Sequence, residues 1–239
     1  MDKVGTKLVE DTQESVSPQD QTKSENLTGS ESEPKEKNSI ELVGTVISTP
    51  VYSHDYDGQS YYSILLRVVR SYNTEKYDDL HVFVKKENLL INGKIMDADT
   101  RLKIRGTLVQ SKLHEMYDIS VVANEIFEVT KNTPDKNKLI LSGELIKLFD
   151  DYKIEGTKFV VKSMILQQYV NKAKKHYITV KFSAWNTTVH YINKEFEMND
   201  HVMILGQLIS KESKSKFDKS VDTVVLHEGI VSVIEHDAN

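Results

Sequence analysis

The 239-residue chain contains no cysteine, which excludes disulfides and thiolate metal sites and fits a reducing, cytoplasmic compartment. It has no apolar run of about 18 residues, so no membrane-spanning helix is expected. The N-terminus is polar from Asp2 onward, and no secretory leader is expected either. A glycine-rich phosphate loop and a nucleophile elbow are both missing. The eight histidines show no metal-ligand spacing. Asp55-Tyr56-Asp57-Gly58 has the flavour of a calcium loop, but no liganding glutamate follows, and a hairpin turn is expected instead. Nothing in these residues asks for an enzyme, a metal or a cofactor, and none is expected.

Positive charge is also scarce. The formal net charge is −5, which at face value argues against a nucleic-acid partner. Its distribution softens that objection. Residues 1–38 hold 5 Lys/Arg against 9 Asp/Glu, residues 39–135 hold 11 against 14, and residues 136–239 hold 15 against 13. The C-terminal half is therefore the basic one, and binding needs a local positive track rather than a positive total.

Residues 1–38 carry no aromatic and few aliphatics. Such a segment cannot bury enough apolar surface to offset its backbone entropy, so an acidic, disordered tail is predicted. From Ser39 onward β-branched residues alternate with polar ones between turn clusters, the pattern of strands.

The pattern is run twice, at an offset near 100. Ile40–Ile47 matches Leu139–Ile146, Tyr61–Val68 matches Lys158–Ile165, and His81–Lys85 matches Lys181–Trp185. Leu102–Leu108 then matches His201–Leu208, and Tyr117–Val122 matches Val221–Leu226. Gly44 aligns with Gly143 and Gly106 with Gly206, at positions where a small barrel must bend to close. Val189, Ile192 and Phe196 have helical spacing over Thr187–Phe196, and Glu87–Ile91 is expected as a shorter helix in the first unit. Five antiparallel strands with a helix between the third and fourth describe an oligonucleotide-binding (OB) fold. The expected architecture is all-β: two tandem five-stranded OB barrels at 39–130 and 139–236, joined by a linker at 131–138 carrying Pro134.

Alternation on the third strand of the second unit puts Ile178, Val180, Phe182 and Ala184 inside the barrel. Tyr177, Thr179, Lys181, Ser183 and Trp185 then share the outer face, a surface suited to a base on a ring with its phosphate near an ammonium. Trp185 could equally pack under the following helix or at a subunit contact. Two basic stretches flank this face. One carries Tyr169, Lys172, Lys174 and Lys175, the other Lys211, Lys214, Lys216, Phe217 and Lys219. Either could close over a nucleic-acid strand, or simply guard a sheet edge with lysines. The first unit offers His81, Phe83, Lys85 and Arg67 with several tyrosines, amid more acid.

The run Ile178–Trp185, a short helix, then Asp200–Leu208 with Gly206-x-Leu208, resembles the core of bacterial single-stranded-DNA-binding proteins. The resemblance is strongest from Lys175 to Leu208. It implies a non-enzymatic, sequence-tolerant protein that holds single-stranded DNA by base stacking on Trp185 and by phosphate contacts. The processes implied are replication, recombination, repair or transfer. It also implies assembly: one-barrel members form tetramers, so a two-barrel chain could supply four barrels as a homodimer. Family members usually end in a glycine-rich linker and an acidic tip that recruits other enzymes. Here the chain reads Val233–Asn239 at that end and carries its acid at the front, so no recruitment through such a tip is expected. RNA would use the same surfaces. The rival class is an OB-fold adaptor that binds protein, favoured by the net acidity and the weaker first unit.

Overall fold

The computed structural model describes residues 37–71, 73–110, 119–171, 176–213 and 224–237. The tail up to residue 36, and with it most of the segment expected to be disordered, lies outside the described residues.

Strand β1 (Asn38–Val46) is followed by a hairpin of β2 (Val51–Tyr56) and β3 (Gln59–Arg70), then by β4 (Asn73–Lys85). Asp57 and Gly58 both have positive φ, 49° and 71°, the conformation a two-residue hairpin turn requires, so the expected turn is there. A 3-10 turn at Lys86–Leu89 and a small hairpin, β5 (Leu90–Ile91) and β6 (Lys94–Ile95), lead to β7 (Arg101–Gln110) and β8 (Ile119–Glu128). The second unit runs β9 (Lys136–Leu148), β10 (Tyr152–Lys153), β11 (Val160–Asn171), β12 (His176–Trp185), helix α1 (Thr187–Glu195), β13 (His201–Ser213) and β14 (Val224–His236).

Each unit closes on itself. β1 pairs with β3 and β7, β3 with β4, β4 in parallel with β8, and β8 with β7. The second ring repeats this order through β9, β11, β12, β14 and β13, again with one parallel pair, β12–β14. Closure removes the free edges of the five core strands. The two rings then join through β1 and β9, antiparallel from Asn38↔Leu141 to Val43↔Lys136. β9 thus begins inside the stretch expected as a linker.

The internal repeat is visible down to single hydrogen bonds. The Asn38 side chain donates to the Leu108 carbonyl (3.0 Å) and accepts from the Leu108 N–H (2.8 Å). Asn137 does the same to Leu208, at 2.6 and 3.0 Å. Across the seam, the Thr179 N–H donates to Gln110 Oε1 (3.0 Å), and the Asp79 N–H donates to Ser210 Oγ (3.2 Å). The strand glycines sit where a Cβ would meet a neighbouring carbonyl, Arg67 O at 2.4 Å for Gly44 and Gln167 O at 2.4 Å for Gly143.

The two units plug their barrels differently. In the second, α1 buries Val189 and Ile192 on one face, with Phe196 just past its end, as the spacing predicts. Each such side chain is worth roughly 1.5–3 kcal/mol of burial. In the first, the expected helix at Glu87–Ile91 is replaced by the 3-10 turn and hairpin. Asn92-Gly93, with φ of 52° and 77°, forms a two-residue hairpin turn that a helix cannot pass through. Met96 is buried there at 1%, with Leu89 and Ile91 packed against the core. The fifth strand of the second unit also sits further along than the repeat predicts. Val121 lies opposite Val82 and Gly229 opposite Phe182, so the offset has grown past 100. β13 and β14 pair out to Ser213↔Val224, and this longer arm carries the extra residues.

Candidate nucleic-acid interface

Strand alternation makes the site. On β12, Ile178, Val180, Phe182 and Ala184 are all buried, as expected of the inner face. The outer face is less uniform. Trp185 and Tyr177 are 39% and 46% exposed, whereas Thr179 is buried against the first barrel by its bond to Gln110. Thr179 therefore faces the seam between the barrels, a correction to its place on an open surface.

A groove of about 450 Å³ crosses this face from β10 over β11 and β12 to β14 and β13. Phe149 and Tyr152 line it toward the β10 side, Ser163 and the β12 residues Lys181, Ser183 and Trp185 lie along it, and Lys211 and Glu228 end it. Ser163 and Ser183 are direct partners across β11 and β12. Phe159 stands beside the groove, its ring edge-on to Trp185 at 6.4 Å. Trp185 ends β12 because Asn186 turns the chain with φ of 48°, and the Asn186 side chain accepts from the Val160 N–H (3.1 Å). The end of β12 is thus anchored to the start of β11.

The aromatic side of the groove is tied to α1. Lys162, at the barrel end, donates to Asp151 (2.9 Å), and Asn193 of α1 donates to the same carboxylate (2.7 Å). The Lys162 hydrogen bond holds the Asp151 carboxyl below its usual range. Phe149 is fixed in turn by its N–H donating to Ser163 O (3.0 Å).

Charge on the floor is balanced. Lys181 and Lys211 both reach Glu228, at 3.4 and 3.5 Å, and the Glu228 side chain is only 11% exposed. With Asp150 also lining the groove, two ammoniums face two carboxylates, and Glu228 supplies an acceptor on the floor. At the far end of β12, Tyr169 and Tyr177 are cross-strand partners with rings edge-to-face at 6.2 Å. The hairpin residues Lys172, Lys174, Lys175, Lys214, Lys216, Phe217 and Lys219 lie outside the described residues.

The described residues of the first barrel pack the corresponding face differently. Tyr61 pairs with Lys85 where Val161 pairs with Trp185. Phe83 is buried at 5%, with His54 edge-on to it at 5.1 Å and stacked on Tyr61 at 5.3 Å. Arg67 makes two 2.8 Å bonds to Asp79 and lies 3.8 Å over the Tyr77 ring. Lys85 remains half-buried. His81 turns to the second barrel, its ring 5.6 Å from that of His227. Phe83 and Arg67 are therefore occupied by protein partners, where the sequence placed them on an open face.

Phe149, Tyr152, Phe159 and Glu228 were not singled out in the sequence. Three aromatics bracketing Gly156 were a readable signal. Glu228 carried none, because the repeat had placed the fifth strand at Val221–Leu226.

A structure of single-stranded DNA binding protein from Thermus aquaticus superposes on this chain with a TM-score of 0.63. It covers 86% of this chain and 95% of that one at 16% identity. The two chains share one fold. A deletion mutant of the same Thermus protein gives a TM-score of 0.62 at 15% identity, over 85% and 96% of the two chains. No protein-family model matches the sequence, and no curated protein matches it by sequence.

Proposed function

We propose that the chain binds single-stranded DNA without strong sequence preference, chiefly through the outer face of its second barrel. The observation that carries this reading is the groove itself: Trp185, Phe149 and Tyr152 present rings beside Lys181 and Lys211 on a wall of an OB barrel. Base–aromatic stacking tolerates any sequence because every base has a π-face, and lysines track the phosphates. The Thermus protein whose fold it shares is named for the same ligand. Tyr177 on β12 and Tyr169 on β11 add a second aromatic pair at the far end of the two strands, and the lysines of the two hairpins, with Phe217, would close over the strand. The role is non-enzymatic, in replication, recombination, repair or transfer, in the cytoplasm. RNA would use the same surfaces, and two chains would combine their four barrels in a homodimer.

A second reading has one specific observation behind it. Phe83 and Arg67 are engaged by His54 and Asp79, so the first barrel serves as a support or a protein-binding module rather than as an equal DNA site. Titrating the full chain with oligo-dT at two salt concentrations, following Trp185 emission, separates the readings. Quenching with an affinity that falls as salt rises supports DNA binding. Unchanged emission and no binding leave the adaptor reading.

A further inference from the structure

We propose that Glu228 reads the edge of a base in the groove and gives one subsite of the second barrel a preference for cytosine over thymine. The proposal rests on the single-stranded DNA reading above and sharpens it. A carboxylate on a surface that meets only phosphates would be a plain loss, since like charges repel. Glu228 is nonetheless placed on the groove floor, nearly enclosed, between Lys181 and Lys211. The two ammoniums offset its charge toward an incoming strand. They leave acceptor capacity on its oxygens, because a carboxylate offers about four lone-pair sites.

Chemistry then separates the bases. Cytosine carries an amino group, a donor, beside a ring nitrogen and a carbonyl that accept. A carboxylate next to an ammonium is the complement of that edge, and pairing of an acidic side chain with the cytosine amino group is a known mode of direct readout. Thymine has a carbonyl oxygen where cytosine has its amino group, so it would set oxygen against oxygen at Glu228. The Ser163 and Ser183 hydroxyls that line the same groove can turn to either role and do not discriminate. Phosphate contacts carry no such information. A base lying over the Lys181–Glu228 end of the groove would therefore be sorted there, while another base of the same strand stacks on Trp185.

The test uses the full chain with oligo-dC and oligo-dT of equal length at neutral pH and fixed salt. Binding is read by Trp185 emission and by anisotropy of a labelled oligonucleotide. Oligo-dC is expected to bind about fivefold more tightly or better, the low end for one base contact. Glu228→Gln and Glu228→Ala are expected to bring the ratio close to one while oligo-dT affinity holds or rises. Thermal unfolding confirms that each variant is folded. Equal affinities in the unaltered chain, or a ratio that survives in both variants, would overturn the base preference and leave DNA binding standing. Failure to bind either oligonucleotide would overturn both.

Discussion

Phe182 and Gly229 face each other across the parallel pairing of β12 and β14, and a Cβ on Gly229 would lie 2.2 Å from the Phe182 ring. The first barrel solves the same place with Val82 opposite Val121. One half of the repeat uses a ring and no side chain, the other two branched aliphatics of middling size. Cores tolerate such exchanges when total volume is kept.

Gly229→Ala should accordingly destabilise the protein by about 1–3 kcal/mol, the usual cost of overpacking. Phe182→Val should restore most of that loss in the double variant although it opens a cavity alone. A double-mutant cycle by urea unfolding measures the coupling. Additive effects would show that the ring and the glycine do not share the space.

A second prediction concerns the seam between barrels. Asp78 is 1% exposed, takes two bonds from Arg70 at 2.9 and 2.6 Å, and accepts from the Ser210 N–H of the second barrel at 2.8 Å. Removing one member of a buried pair leaves a charge without its counter-ion, at a cost of about 3–5 kcal/mol. Asp78→Ala should lower stability on that scale and split thermal unfolding into two steps as the barrels uncouple. A single transition at the original midpoint would contradict this.

Much of this architecture was legible. Alternation on β12 and helical spacing at Val189, Ile192 and Phe196 both come from local chemistry, and local chemistry decides the inner face of a strand or helix. What the sequence hid depends on distant partners. Thr179 alternates onto the outer face, yet Gln110 of the other barrel covers it. Phe83 alternates outward too, and the β2 hairpin lays His54 over it. Asn92-Gly93 was readable as a turn but lost to the expectation of a helix from the repeat. Glu228 was missed because repeat units need not keep equal arm lengths.

Acid stability supplies a third prediction. Glu41 on β1 is bonded to Lys136 at 2.6 Å and lies 3.5 Å from Lys103 and from Arg105, so it gathers cations from both barrels. The Lys136 hydrogen bond, outweighing desolvation, holds its carboxyl below the usual value. A carboxyl depressed in the folded state adds stability that is fully present above its unfolded pKa and lost as pH falls through the folded one. Stability should therefore decline below the ordinary carboxylate range, and Glu41→Gln should be less stable at neutral pH but lose less on acidification. Parallel pH profiles for the two proteins would remove Glu41 from the acid response.

The last prediction sets Trp185 against Phe83, equals in chemistry but opposite in burial. Trp185 is 39% exposed beside the groove, and Phe83 is 5% exposed beneath His54. Trp185→Ala should leave folding nearly intact and weaken oligo-dT binding by about 1–3 kcal/mol, the range for one stacked base. Phe83→Ala should do the reverse, costing about 3–5 kcal/mol of stability as a truncated core ring while the affinity of the folded protein holds. Lys211→Gln should lower affinity for oligo-dT and reduce the salt slope by about 0.7, the single-strand value for one phosphate. Calorimetric unfolding and anisotropy titrations at several salt concentrations read all three variants. If Phe83→Ala lost DNA while Trp185→Ala kept it, the working face would belong to the first barrel, and His54 would have to swing away from Phe83 to uncover it.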